Sequence, residues 1–140
     1  MKNSLFIFCT AILSLLINPL KAQETTVSVT LAGQANFTIS KPKVTITLSP
    51  DGQITGFNIL EKGRLSYDLN NRITEAGSTR ISYDLSGRIS EIAGERVSYN
   101  FDGQVDRFGD TRVSYNLSDK VSEIGSQRIS YNLDGKVSEL

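Results

Sequence analysis

Two side-chain types with binding chemistry recur along this chain every sixteen residues. The tyrosine ladder consists of Tyr67, Tyr83, Tyr99, Tyr115 and Tyr131. The arginine ladder consists of Arg64, Arg80, Arg96, Arg112 and Arg128. Aromatic faces offer flat apolar platforms for sugar rings, and guanidinium groups bind carboxylates and phosphates through paired hydrogen bonds. The two ladders are therefore the candidate binding site, for a cell-surface glycan or a protein partner.

Each ladder also has a structural interpretation, and we favour it in both cases. The tyrosines lie in phase with Ile and Val residues, which is typical of the apolar face that a one-sided sheet must bury. The arginines share their period with a row of glutamates, which favours charge pairs worth only about 0–1 kcal/mol each at an exposed site. This row consists of Glu75, Glu91, Glu123 and Glu139.

Catalytic and metal chemistry has few residues to use. The chain has no histidine, and its one cysteine is Cys9 near the N-terminus. Nucleophile systems that need histidine, and histidine metal sites, are excluded by this inventory. Carboxylates for a glycosidase-type pair are present, but they lie in turns or at repeated solvent positions. We therefore expect a protein that is not an enzyme, with no metal and no cofactor.

The first 22 residues have the three parts of a secretory signal peptide. Lys2 precedes an apolar run over 5–17, and a small residue, Ala22, follows Pro19 at the predicted cleavage site. The run is shorter than the roughly 20 apolar residues of a membrane-spanning helix. We predict secretion to the periplasm or the exterior, after which no cysteine remains. Removal of Lys2 and Lys21 from a chain with 15 basic and 15 acidic residues leaves it slightly acidic, which argues against nucleic acid as a partner.

After the predicted signal peptide, apolar and polar residues alternate, and many of the apolar side chains are β-branched. The segments 27–31, 35–39 and 44–48 each show this pattern, which predicts half-buried strands. About four leading strands are expected within residues 23–57, and no window has helical periodicity. The segment 48–54 aligns with 131–137 as a degenerate copy of the repeat, and 58–63 is predicted to be a linker loop.

Residues 64–140 contain five copies of a 16-residue unit, each with a recognisable turn. In Asn132-Leu-Asp-Gly135 the residue types favour a type I turn closed by a left-handed glycine, which makes a three-residue hairpin loop with a bulge. This loop predicts Asn132 opposite Lys136 and Tyr131 opposite Val137. Two copies have Asn71 or Asp119 in the glycine position, and both types tolerate that conformation.

The predicted fold is all-β, an antiparallel meander of short hairpins in a single domain. Its curl could be barrel-, roll- or sandwich-like, and the pattern does not choose among them. About five or six residues separate the turns, fewer than the 9–11 or so of a strand that crosses a membrane, so we expect no membrane span.

The stretch Tyr83-Asp-Leu-Ser-Gly-Arg-Ile89 resembles the Tyr-Asp repeat of Rhs and teneurin proteins, and the resemblance extends over residues 64–140. It implies a strip of β-hairpins in a secreted, bacterial protein. In that family such strips sometimes coil into shells around a toxin.

These observations predict a secreted, non-catalytic scaffold or binding module whose ligand is a carbohydrate or a protein. The alternative is a self-assembling structural, surface-layer or matrix protein, joined through sheet edges such as the one that ends at Leu140. A fragment related to Rhs-type toxin shells is a more remote alternative.

Overall fold

The computed structural model describes residues 25–30 and 33–140. The predicted signal peptide and its cleavage site lie outside these residues, as does the end of the first predicted strand at Leu31. Every regular element in the described ranges is a β-strand. Within those ranges, no helix is long and apolar enough to cross a membrane.

The first four strands form one antiparallel sheet in chain order. They are β1 (Thr25–Val29), β2 (Ala35–Ser40), β3 (Val44–Leu48) and β4 (Ile54–Ile59). Along β2 and β3 buried residues alternate with half-buried ones, as the period-two pattern predicts. The residues on their inner face are completely buried: Phe37, Ile39, Val44, Ile46 and Leu48.

The repeats form the strands that follow. These are β5 (Leu65–Tyr67), β6 (Ile73–Ala76), β7 (Thr79–Tyr83), β8 (Ile89–Ile92), β9 (Glu95–Tyr99), β10 (Val105–Phe108), β11 (Thr111–Tyr115), β12 (Val121–Ile124), β13 (Gln127–Arg128), β14 (Ser130–Tyr131) and β15 (Val137–Glu139). Strands β5 to β13 make a nine-stranded sheet in chain order, and β14 pairs with β15. The antiparallel hairpin meander predicted from the sequence is confirmed. The nine-stranded sheet has ends at β5 and β13, so it does not close on itself.

Each hairpin of the repeats contains a one-residue bulge in its second strand, in addition to the bulge predicted for the turn, and the sequence did not predict it. In the third hairpin Val105 faces Tyr99, but Arg107 faces Ser98, so Asp106 is the extra residue. A bulge reverses the alternation of side chains. Val105 and Phe108, three residues apart, are therefore both fully buried, while Arg107 between them is exposed.

The bulge also corrects the predicted register. In the last hairpin Tyr131 faces Val137, and the Asn132 amide donates to the Lys136 carbonyl, both as expected. Beyond that point an uninterrupted ladder would place Ser138 opposite Ser130, but Ser130 faces Glu139 and Ser138 is the extra residue. The turn chemistry is confirmed, since Asn71 and Asp119 adopt φ of 58° and 57° in the glycine position.

The two sheets share one apolar core. Residues of the leading sheet, such as Phe37 and Ile46, belong to the same buried cluster as Ile92, Phe108 and Ile124 of the repeats. Backbone hydrogen bonds add to this contact between the sheets. The amides of Val105 and Val121 donate to the carbonyls of Gly52 and Pro50, each at 2.9 Å.

The turn that makes these bonds belongs to the degenerate copy. Leu48 faces Ile54 across the β3–β4 hairpin, and Gly52 closes the turn at a φ of 76°. The Gly52 amide donates to the Ser49 carbonyl at 2.9 Å, as in the turns of the other copies. The copy recognised at 48–54 is thus the segment that docks the leading sheet on the repeats.

Candidate binding surfaces

Four of the five tyrosines are half-buried, and their hydroxyl groups bind the backbone of the preceding hairpin. Tyr83 donates to the Ile73 carbonyl at 2.9 Å, and Tyr99 donates to the Ile89 carbonyl at 2.7 Å. Tyr131 does the same with Val121 at 2.5 Å, and Tyr115 donates to Val105. Tyr67 begins the series, follows the degenerate copy at 48–54 rather than a regular hairpin, and is 56% exposed.

The environment of these rings also changes their acidity. Burial raises the pKa of Tyr99 to about 12, and the nearby Arg88 opposes that rise. Burial likewise raises the pKa of Tyr131 to about 12 and raises the pKa of Tyr115. Desolvation disfavours the phenolate, which is what a ring at the margin of a core should show.

Two arginines outside the arginine ladder cover tyrosine rings. The guanidinium carbon of Arg72 lies 4.3 Å from the ring centre of Tyr83, and that of Arg88 lies 4.2 Å from Tyr99. At such distances a guanidinium is attracted to the aromatic face. One face of the Tyr83 ring and one face of the Tyr99 ring are thus covered by a guanidinium, so a sugar that stacked there would have to displace the arginine.

The turns hold the covering arginines in place. The Nε atoms of Arg72 and Arg88 each donate to the aspartate that opens their own turn, Asp68 or Asp84, at 2.8 Å. The pKa of both carboxyl groups is lowered, first by hydrogen bonds from the arginine amides and also by those from the side chains. In the sequence this pairing is visible as Asp-x-x-x-Arg in two turns, although the predictions from the two ladders did not include it.

The third copy has Asn100 and Gln104 at these positions, and the leading sheet explains the change. Gln104 is only 6% exposed, and its amide nitrogen donates to the carbonyls of Asp51 and Asp119 at 3.2 and 3.1 Å. Asn100 donates to the Gln104 side-chain oxygen at 2.8 Å. A buried guanidinium at this point would need a counter-charge, whereas a neutral amide is satisfied by the two carbonyls.

The arginine ladder lies apart from the tyrosines, on the solvent face, and all five of its members are exposed. The register places Glu75 opposite Arg80, Glu91 opposite Arg96, and Glu123 opposite Arg128. In the described residues one of these pairs comes within ion-pair distance, Glu75 with Arg80 at 3.7 Å. The predicted pairing is therefore one of register for these three glutamates, with an ion-pair contact in one copy. For Glu139 the prediction is wrong, because Glu139 lies opposite Ser130.

A third row, which the sequence-based predictions did not include, is the most exposed set of large apolar side chains among the described residues. The second residue of every repeat turn is Leu or Phe, and these side chains are 103% to 110% exposed. We call them the tip row: Leu69, Leu85, Phe101, Leu117 and Leu133. Turns favour Gly, Pro, Asn, Asp and Ser, so a large apolar residue at one position of all five turns was the available signal.

The described residues hold no cluster of three or more acidic, cysteine or histidine side chains that could bind a metal. No protein-family model matches the chain, and no curated protein matches it significantly.

Proposed function

We propose that this chain is a secreted, non-catalytic repeat module that binds a protein partner through the tip row. The observation that carries the proposal is the complete exposure of an apolar side chain in all five turns. Single exposed apolar residues are ordinary on protein surfaces, but a row repeated in register is typical of an interaction site. The absence of histidine from the sequence supports the non-catalytic part.

A protein partner is favoured over a glycan by the chemistry of the two candidate surfaces. Four of the five tyrosine rings that would stack on sugars are half-buried and hydrogen-bonded, and two of these are covered by arginines. Leucine side chains, in contrast, bind through apolar burial, which stabilises a contact by about 1.5–3 kcal/mol for each side chain that is fully buried.

The charges in the turns beside the tip row also favour a protein partner. Four of the five turns carry one acidic and one basic residue, for example Asp84 with Arg88, and the third carries only Asp102. The tip row is therefore close to neutral, which gives little electrostatic attraction to an anionic lipid surface or a polyanion. An apolar surface on a protein partner is the better match.

Assembly with further copies of this chain is the second candidate function. Hairpins side by side repeat at about 10 Å, two strand spacings, so only a partner with the same spacing meets every tip. A second copy has that spacing by construction. Two tip rows offset by half a step would place apolar side chains about 5 Å apart, within contact distance of one another.

The experiment compares the wild type with a variant that loses three central tips, Leu85→Ser, Phe101→Ser and Leu117→Ser. A matched control changes polar residues of the same turns, Ser86→Asn, Asp102→Asn and Ser118→Asn. Immobilised proteins are exposed to extracts of the producing cell, and their oligomeric state is measured by analytical ultracentrifugation.

We expect a protein that is retained by the wild type and the control but not by the tip variant. Self-association with the same dependence on the tips would support the second candidate. Retention that is equal for all three proteins, with all three monomeric, would contradict the proposal. Because the tips are solvent-exposed, we expect the melting temperature of the tip variant to lie within a few degrees of that of the wild type.

Secretion has its own test. N-terminal sequencing of the secreted form tests cleavage after Ala22.

A further inference from the structure

The glutamate–arginine register on the solvent face is broken at one place. Position 107 corresponds to the glutamate of the other copies, but it is an arginine. Strands β10 and β11 pair so that Arg107 lies directly opposite Arg112, and both are exposed. Two like charges that face each other across a pair of strands destabilise it, and all the other pairs of this register avoid that arrangement.

The surrounding residues leave this positive pair uncompensated. Neither arginine has an ion-pair partner within the described residues. On its other side Arg107 faces Ser98, which is uncharged. Asp110, in the β10–β11 turn, is bound by Lys41. Asp106 is the bulge residue, and its charge acts on Tyr115.

The flanking glutamates belong to other arginines. On β8, Glu91 lies opposite Arg96, and on β12, Glu123 lies opposite Arg128. The centre of the sheet therefore has two adjacent guanidinium groups with no acidic residue opposite either one. A bound anion would supply the negative charge that this pair lacks.

We propose that Arg107 and Arg112 together bind a tetrahedral oxyanion, such as the sulfate or phosphate ester group of a ligand. Each guanidinium has five N–H donors in a planar fork, and forks bind the oxygens of such groups in pairs. Side chains directly opposite on antiparallel strands start about 4.5–5.5 Å apart, so both forks reach one anion. The anion would also remove the repulsion between the two arginines.

This site is independent of the proposed function. Arg107 and Arg112 flank the two-residue turn of β10 and β11, whereas Phe101 of the tip row lies in the turn at the other end of the β9–β10 hairpin. The tip-row variant should therefore keep the oxyanion site. Loss of partner binding without loss of oxyanion binding, or the reverse, separates the two proposals.

The test uses the full chain with sulfate and phosphate as probes. Thermal unfolding and isothermal titration calorimetry are performed at low ionic strength, with sodium chloride added so that ionic strength is constant at every probe concentration. Binding to the folded state alone raises the melting temperature with the logarithm of the probe concentration once this exceeds Kd. We expect that response with both probes, at concentrations at least tenfold lower than acetate requires.

Two variants change the pair itself. Arg107→Glu restores the register of the other copies, and we expect a higher melting temperature without probe and at least tenfold weaker probe binding. Arg107→Gln should weaken binding as well, while it removes only one charge. Arg80→Glu makes the same change of charge at an arginine of the ladder outside the pair, and its probe affinity should stay within about twofold of the wild type.

A third variant tests whether a second arginine pair creates a second oxyanion site. Glu123→Arg places an arginine opposite Arg128, and we expect the calorimetric stoichiometry to rise from one anion to two. The proposal is overturned if the wild type does not respond beyond chloride, or if acetate acts at the same concentration as sulfate. It is also overturned if Arg80→Glu weakens binding as much as Arg107→Glu, because the response would then follow total charge.

Discussion

The hydroxyl of Tyr99 donates a 2.7 Å hydrogen bond to the carbonyl of Ile89, ten residues earlier in the preceding hairpin. Ile89 stands immediately before Ser90, the bulge residue of that hairpin. A bulge interrupts the ladder of backbone bonds, so a side chain that binds a carbonyl there satisfies a group at the interruption. The tyrosine ladder therefore connects each hairpin to the one before it.

Truncation of a central tyrosine should cost stability. We expect Tyr99→Ala to lower the free energy of unfolding by about 3 kcal/mol, because a large aromatic side chain packed on the core is removed. Tyr99→Phe should cost about 1 kcal/mol through the lost hydrogen bond. Tyr67→Ala is the matched control and should cost less than about 1 kcal/mol, since that ring is 56% exposed. Urea denaturation measures all three, and equal midpoints for Tyr99→Ala and Tyr67→Ala would refute a structural role.

Alkaline pH should destabilise the protein through the same residues. The pKa of Tyr99 and Tyr131 rises from the ordinary value of 10.0 to about 12 in the folded state. A raised pKa means that the folded state holds the proton more tightly. Its stabilising effect is thus complete below pH 10 or so and is lost as the pH rises through about 12. We expect a steeper fall of stability between about pH 10 and 12 in the wild type than in the double variant Tyr99→Phe, Tyr131→Phe. Parallel curves for the two proteins would argue against this assignment.

Gly52 lies in the turn through which the leading sheet contacts the repeats. A Cβ atom at this glycine would lie 2.0 Å from the Tyr115 hydroxyl oxygen, and the backbone φ of 76° already disfavours a side chain. We expect Gly52→Ala to cost about 3 kcal/mol or more, because overpacking is added to backbone strain.

Gly135→Ala is the matched control for Gly52→Ala. Its φ is 72°, and a Cβ atom there would meet nothing within 4 Å. Strain alone should cost about 1–2 kcal/mol. Melting temperatures measured by circular dichroism compare the two variants. Equal losses would show that the contact with Tyr115 adds nothing.

One turn of the repeats holds an alanine in the left-handed region. The β8–β9 hairpin turns through Ala93 and Gly94 with φ of 54° and 80°, which is the type I′ pattern. Asn-Gly is the preferred pair for such a turn, so we expect Ala93→Asn to stabilise the protein by about 1 kcal/mol and to raise its melting temperature by several degrees. Gly94→Ala, with open space around it, should lower stability by a similar amount. An Ala93→Asn variant less stable than the wild type would contradict the argument.

Local rules explain most of what the sequence predicted about the fold. The turn at Asn132–Gly135 and the pairing of Tyr131 with Val137 depend on a few adjacent residues, and both are confirmed. The degenerate copy at 48–54 was recognisable for the same reason, since Gly52 stands where the turn needs it. The bulge was missed because no residue type marks it. Thr, Ser and Asp all occupy that position among the copies.

The candidate surfaces, too, were predictable only in part from the sequence. The sequence by itself determined the period, the strands, the turns and hence the rows of side chains, because these follow from contacts within about sixteen residues. Only the tertiary structure decided that the leading sheet docks on the repeats through Pro50 and Gly52, and that Gln104 lies buried beneath that turn. It also decided that Arg107 lies on the solvent face with Arg112, since an unmarked bulge moves the later side chains of β10 to the opposite face. Such contacts join residues distant in the chain or depend on a one-residue shift, and neither leaves a periodic signal in the sequence.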